Sequence, residues 1–250
     1  MKVYYHRLQV ELTRRCNQSC AHCCRGDAQD IDLTKEIIDA FIEKNDIYYI
    51  STLLFSGGEP TLNGEMLEYF VDKIIEKDID VYSFMFGING LSYSQALVDG
   101  LNKLRDYIIL KSDSKRYCPG ILMISQDQFH KDAVPQVVEK LSQLSYFSPI
   151  DKHIMKEENI LPYGRALENG LSRQDPDLSE LIDYEKKYKI KEYEGDTYLV
   201  IDYQYIAANG NVINDGCPSY DLMDQYALGN VKKQSMEEIY LKGPQKRRCI

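Results

Sequence analysis

Short apolar runs alternate with amphipathic stretches from the start of this chain, and that rhythm restricts its fold more than any other feature. Leu8-Gln9-Val10-Glu11-Leu12 reads as a strand, a polar cysteine-rich loop follows, and Thr34 to about Lys44 carries Ile37, Ile38, Phe41 and Ile42 on one helical side. Thr34 is placed to cap that helix. A second unit has a strand from Ile50 to Phe55, the turn Ser56-Gly57-Gly58 and a helix from Met66 to Lys77; a third has Ile79 to Phe86, the turn Gly87-Ile88-Asn89-Gly90 and a helix around Gln95 to Leu104. Strands separated by helices imply right-handed crossovers and a parallel sheet, either open or rolled into a complete or partial barrel.

Beyond the third unit, Tyr107 to Leu110 and Ile121 to Ser125 are strand candidates flanking the polar insertion Lys111 to Gly120, Val134 to Leu144 reads as a helix, and Pro149 to Met155 as another strand. After about residue 157 the pattern changes. A Gly/Pro loop through Leu161-Pro162-Tyr163-Gly164-Arg165 precedes a charged helix near Leu178 to Tyr188; Thr197 to Ile206 and Val212-Ile213 then flank an Asn209-Gly210 hairpin signal, and a short helix runs from Ser235 to Leu241. The expected division is a core over 1–157, with the end of the barrel and a small α+β appendage over 158–250.

The chain has 39 acidic against 30 basic residues, a formal charge of -9 and a pI near 5.1, which argues against an extended phosphate-binding face for nucleic acid. Nothing approaches the roughly 20 apolar residues of a membrane span, and the first seven residues have no apolar signal-peptide core. A cytoplasmic protein is expected. In that compartment clustered cysteines point to metal or catalysis rather than disulfides.

Four of the seven cysteines fall in Cys16-Asn17-Gln18-Ser19-Cys20-Ala21-His22-Cys23-Cys24, directly after the first strand. Thiolates at i, i+4 and i+7 converge when a loop wraps around a metal centre. Three can each hold one iron of a four-iron cube, leaving the fourth iron open to a small molecule. Spacing alone also fits a zinc site, or a redox pair in Cys20-Ala21-His22-Cys23. The second strand ends in Ser56-Gly57-Gly58-Glu59-Pro60, where residues without side chains let a ligand approach the backbone and Glu59 offers a carboxylate to an ammonium group. By itself this is also a left-handed turn opening a helix. Together the two motifs occupy the carboxyl edge of neighbouring strands, where α/β sheets bind ligands.

Cys16-x-x-x-Cys20-x-x-Cys23 followed by Ser56-Gly57-Gly58-Glu59-Pro60 resembles the radical S-adenosylmethionine (SAM) superfamily. The resemblance implies an α/β fold with a partial (β/α)6 barrel and a [4Fe-4S] cluster on Cys16, Cys20 and Cys23. It further implies SAM chelated to the fourth iron, its reductive cleavage to a 5'-deoxyadenosyl radical, and a reducing protein such as flavodoxin or ferredoxin. Gly57, Gly58 and Glu59 would hold the methionine amino group and His22 would lie near the adenine. Asn89 is carried over from a Thr-Asn-Gly ending in which Ile88 replaces the threonine, and Ser125 and Asp127 would meet the ribose or the methionine carboxylate.

Ser125-Gln126-Asp127-Gln128-Phe129-His130 is similar to an element of superfamily members that modify ribosomally made peptides, which makes His130 a candidate substrate contact. Arg165, in a Gly-Arg-Ala turn, would pair with a carboxylate. The hairpin, Cys217 and Leu228-Gly229-Asn230-Val231 resemble a shortened SPASM or twitch extension. Cys24, Cys118, Cys217 and Cys249 lack paired spacing, so no auxiliary cluster is expected. Cys217 is instead the candidate hydrogen donor to a substrate radical, and the other three read as buried apolar residues. The expected function is radical SAM chemistry on a peptide, by epimerisation or crosslinking; the alternatives are a radical SAM enzyme of a nucleotide or other small molecule and a non-catalytic zinc module.

Overall fold

The computed structural model describes residues 1–112, 119–148, 154–179 and 187–241. Four strands, β1 (Lys2–Thr13), β2 (Asp46–Gly57), β3 (Asp80–Ile88) and β4 (Gly120–Ile124), run parallel in the order β4-β3-β2-β1. The crossovers carry helices α1 (Lys35–Glu43), α2 (Gly64–Glu76) and α3 (Gln95–Lys111), and α4 (Pro135–Leu141) follows β4. This is the expected mixed α/β fold with a parallel sheet. The first two strands are longer than their apolar runs because polar residues such as Gln9 and Thr52 occupy alternate positions on the second face of the sheet.

Each helix packs its apolar stripe on the first face. Ile37, Ile38, Phe41 and Ile42 of α1 and Leu67, Phe70, Val71 and Ile74 of α2 are buried against Leu8, Val10, Ile50, Leu53 and Phe55. Each such side chain contributes roughly 1.5–3 kcal/mol of burial. Ser94 caps α3, its Oγ accepting from Leu97 N at 3.3 Å. The strand expected at Tyr107 to Leu110 is instead the last turn and a half of that helix. The stripe Leu97, Leu101, Leu104 continues to Ile108, so a period of 3.6 overrides the local β-propensity, and Leu110 points to solvent.

The C-terminal part consists of β5 (Tyr188–Tyr193), β6 (Asp196–Ile201), β7 (Gln204–Ile206), β8 (Asn211–Ile213) and β9 (Gly229–Asn230), with the short helices α5 (Gly164–Glu168), α6 (Tyr220–Gln225) and α7 (Met236–Leu241). Its strands join the same sheet. β6 and β7 both pair in parallel with β1, through Lys2–Tyr5 and Leu8–Val10 respectively, so β1 is central. The Asn209-Gly210 turn closes the β7–β8 hairpin, with Gly210 at φ +84° and Ala207 N donating to Asn211 O at 2.8 Å. Ser235 starts α7 in a reciprocal cap: Glu238 N donates to Ser235 Oγ and Ser235 N to Glu238 Oε2.

Two sequence readings fall partly outside the described residues. Of the strand expected at Pro149 to Met155 only 154 and 155 are described, neither in a strand; the extra pairing beside β4 is a single parallel bridge between Leu122 and Phe147. Most of the helix expected near Leu178 to Tyr188 is outside, and Tyr188 itself begins β5. No helix among the described residues is long and apolar enough to cross a membrane.

Candidate metal centre

Residues 14–32 form an irregular loop at the carboxyl end of β1, and a cavity of about 280 Å³ opens there. Cys16, Cys20 and Cys23 line it together with His22, Gly57, Gly58, Asn89, His130 and Arg165. These expected residues come from the ends of β1, β2, β3 and β4 and from α5. The parallel topology therefore brings separate stretches of sequence to one place.

The Gly57-Gly58 pair is required by backbone packing. A Cβ on Gly57 would lie 2.5 Å from Thr13 O, and one on Gly58 2.4 Å from Arg15 O. The close approach lets Gly58 N donate to Thr13 O and Glu59 N to Arg15 O, each at 2.8 Å. The start of the cysteine loop is thus joined to the β2 turn.

Glu59 stands behind the cavity rather than in its wall. Its Oε1 accepts from Thr61 N and Thr61 Oγ1, and its Oε2 from Asn89 N at 2.9 Å. Burial pushes this carboxyl above its ordinary pKa despite those donors. Asn89 donates in turn to Asn17 Oδ1 at 2.7 Å. Glu59 and Asn89 therefore connect the β2 turn, the β3 turn and the cysteine loop.

The three thiols are spread around the cavity. Among the described residues, one group of His, Cys, Asp or Glu brings three ligand atoms within 4.8 Å of one another, and it is His22, Asp127 and His130; the three sulfurs are spaced more widely. Thiolates on a single zinc would lie about 3.8 Å apart, given bonds near 2.3 Å. The three sulfurs are not all gathered to within 4.8 Å of one another.

Burial raises Cys16 above the ordinary thiol pKa. It pushes Cys20 up to about 11, with Cys23 and Cys16 adding to the rise and the charge of Arg165 opposing it. The loop also holds donors suited to sulfur: Gln18 N donates to Cys16 Sγ at 3.4 Å, while the buried Nε2 of Gln18 has no partner. Three thiols and an unsatisfied donor beside them fit an iron–sulfur cluster, whose sulfides accept such hydrogen bonds.

Asp127 is also a supporting residue. Its side chain is 2% exposed and accepts from Phe129 N at 2.8 Å; His130 Nδ1 is 2.9 Å away and His22 Nε2 3.7 Å away. Burial favours its neutral form, but these donors outweigh it and hold the carboxyl below its ordinary pKa. The ring of His22 stacks on Phe129 with centroids 4.6 Å apart. Asp127 thus sets a carboxylate beside two imidazoles that line the cavity, while Ser125 is exposed, does not line it, and donates its backbone N–H to Ile88 O.

Arg165 finds a carboxylate in Asp27, at 3.1 Å, and its Nε donates to Cys20 O. Cys217 is outside the cavity wall; burial and then Asp215 push its thiol up to about 12. Cys24, expected only as a buried apolar residue, lines the cavity, as do Arg14, Arg25 and Tyr220. Arg14 is wholly buried, paired with Glu11 at 3.1 Å and bidentate to Asp224 of α6 at 2.7 and 2.8 Å. Composition gives no sign of this network, since Asp224 lies 210 positions from Arg14. Cys118 and Cys249 fall outside the described residues.

The comparisons with known proteins agree with this architecture. The chain is similar in fold to anSMEcpe with bound AdoMet and Cp18Cys peptide, at a TM-score of 0.56 and 12% identity over 96% of this chain and 80% of that one. The complex of anSMEcpe with AdoMet and Kp18Cys peptide gives 0.55 and 14% over 96% and 81%, and His6 tagged anSMEcpe with AdoMet 0.53 and 14% over 94% and 77%. At these identities the likeness is one of fold. No curated protein matches the sequence. Residues 10–113, which span the cysteine loop, the Gly57-Gly58 turn and the end of β3, match the Radical SAM superfamily model. Over residues 10–113 the chain is similar to the radical SAM superfamily.

Proposed function

We propose that Cys16, Cys20 and Cys23 hold a [4Fe-4S] cluster and that the enzyme uses S-adenosylmethionine to remove hydrogen from a ribosomally made peptide, leading to epimerisation or crosslinking. The observation that carries this reading is the convergence of the three thiols and the Gly57-Gly58 turn on one cavity at the carboxyl ends of parallel strands. When bound, the cluster supplies the electron that splits the sulfonium of S-adenosylmethionine into methionine and a 5'-deoxyadenosyl radical.

The chain's own residues position and shield. Gly57 and Gly58 bring backbone to the methionine end of the cofactor, with Glu59 and Asn89 keeping that turn in register. His22 belongs to the adenosyl side and His130 is the substrate contact, with the Asp127 carboxylate beside both rings; Ser125, outside the cavity wall, takes no cofactor role. Arg165 is assigned to the cysteine loop rather than to a cofactor carboxylate. Holding the reacting centres close and excluding water are the protein's main contributions in such chemistry. Cys217 keeps its proton at neutral pH, as a hydrogen-atom donor must, and Cys24, which lines the cavity, is a second protonated thiol.

The peptide assignment is supported by the Ser-x-Asp-x-aromatic-His element and by the peptides held in the anSMEcpe complexes. An electron donor such as flavodoxin or ferredoxin, a cytoplasmic site and a division into 1–157 and 158–250 complete the reading. Anaerobic reconstitution, reduction with S-adenosylmethionine and assay for 5'-deoxyadenosine test it. Wild type should give the nucleoside, and Cys16→Ala, Cys20→Ala and Cys23→Ala should not. Stoichiometric zinc in a colourless anaerobic preparation would refute it.

A further inference from the structure

A glycine grips the cysteine loop near each end, and the two glycines come from different halves of the chain. Gly58 holds the start against Arg15. At the far end a Cβ on Gly164 would lie 2.4 Å from Gly26 N, 2.6 Å from Cys24 O and 2.9 Å from Cys23 O. Gly164 also has φ +52°, a conformation that disfavours side chains. This position therefore accepts only glycine on two independent grounds.

The helix that starts there brings three donors to the loop's carbonyls. Arg165 N donates to Cys23 O at 3.0 Å, Arg165 Nε to Cys20 O at 3.1 Å and Asn169 Nδ2 to Ala21 O at 3.0 Å. Cys20 O and Cys23 O also accept within the loop, from Cys23 N at 3.1 Å and Gly26 N at 3.4 Å, so the helix adds a second donor to each and a donor to Ala21 O. Asp27 steadies the guanidinium from the solvent side, its side chain 90% exposed against 16% for Arg165. That pair orients the arginine and contributes little energy.

We propose that Gly164–Asn169 is a positioning element for the cluster loop, with Arg165 both fixing the loop's conformation and placing a permanent positive charge beside the three sulfurs. The inference rests on Cys16, Cys20 and Cys23 being the cluster ligands. It makes the site incomplete without a segment that lies outside residues 10–113. A reduced cluster carries one more negative charge than an oxidised one. The guanidinium therefore favours the reduced state and raises the midpoint potential.

The test uses the full chain without cofactor or substrate. Iron and sulfide per chain, the rate of iron loss to a chelator and the midpoint potential from an EPR-monitored titration are measured for wild type, Arg165→Gln, Arg165→Lys and Asn169→Ala. Arg165→Gln should lose iron about 10-fold faster or more and move to a more negative potential. Arg165→Lys keeps the charge without the fork, so it should lose iron faster at a potential close to wild type. Asn169→Ala should do the same. Wild-type rates and potential in Arg165→Gln, or iron loss that only tracks a matching loss of apo-protein stability in all three variants, would overturn the proposal. Wild type without iron would instead overturn the cluster reading beneath it.

Discussion

Gly58→Ala isolates what the Gly-Gly turn contributes to the cysteine loop. The added Cβ would meet Arg15 O at 2.4 Å, Arg15 C at 2.8 Å and Arg14 O at 2.9 Å, all backbone atoms, and ordinary contact begins at 3.4 Å. The two segments must separate by the difference, about 1 Å. The bonds from Gly58 N to Thr13 O and from Glu59 N to Arg15 O, now 2.8 Å, would then lie beyond hydrogen-bonding range. Two such bonds and the local overpacking together cost about 2–3 kcal/mol. For a chain of 250 residues that corresponds to a melting temperature lower by roughly 5–10 °C. Because Cys16 follows directly, iron retention should also fall about 10-fold. The control is Gly87→Ala on β3, where a Cβ meets nothing within 4 Å and the change should cost under about 0.5 kcal/mol. Scanning calorimetry and iron analysis on both variants decide the matter. If Gly58→Ala melts and binds iron as Gly87→Ala does, the packing argument is wrong.

Asp224→Asn breaks the bidentate partner of the buried Arg14 and should cost about 1–2 kcal/mol, a range reduced because the Asp224 side chain is 37% exposed. The Asp224 carboxyl is held below its ordinary value: burial pushes it up, but the fork of Arg14 and the Asn209 and Asn211 amides outweigh that. Its contribution is therefore present above the unfolded value near ~3.9 and lost as pH falls through the lower folded value. Urea midpoints of wild type and Asp224→Asn should differ at neutral pH and converge in acid, and parallel curves would contradict this. Ser235→Ala removes the cap of α7 and should cost about 1 kcal/mol by thermal denaturation. Cys217→Ala should still yield 5'-deoxyadenosine but fail to complete a redox-neutral product; an unchanged product yield removes Cys217 from the mechanism.

Much of the parallel core was legible because its signals are local. Helices α1 and α2 follow from stripes such as Ile37, Ile38, Phe41 and Ile42, and the hairpin at Asn209-Gly210 follows from its turn chemistry. The cysteines and the Gly-Gly turn stood out by spacing. What could not be read was set by distant partners. The fate of Tyr107 to Leu110 depended on α3 extending over Ile79, whose carbonyl accepts from Tyr107 Oη at 3.1 Å. Glu59 is short in reach, so its role depended on Asn89 N arriving from the β3 turn. Arg14 and Asp224, 210 positions apart, share no pattern that a sequence displays. Arg165 was visible as a candidate, but its partners are backbone carbonyls, which no residue type announces.

The central place of β1 bears on how the protein is made. On one side β1 pairs with β2, which leaves the ribosome early; on the other it awaits β6 and β7, about 190 residues later in synthesis. Until those strands emerge, one edge of the strand that leads into the cysteines stays unpaired, and such non-local closure is slow. Iron delivered to the nascent polypeptide would meet a half-built cradle. Completion of the site is therefore expected to wait until β6 and β7 have paired with β1.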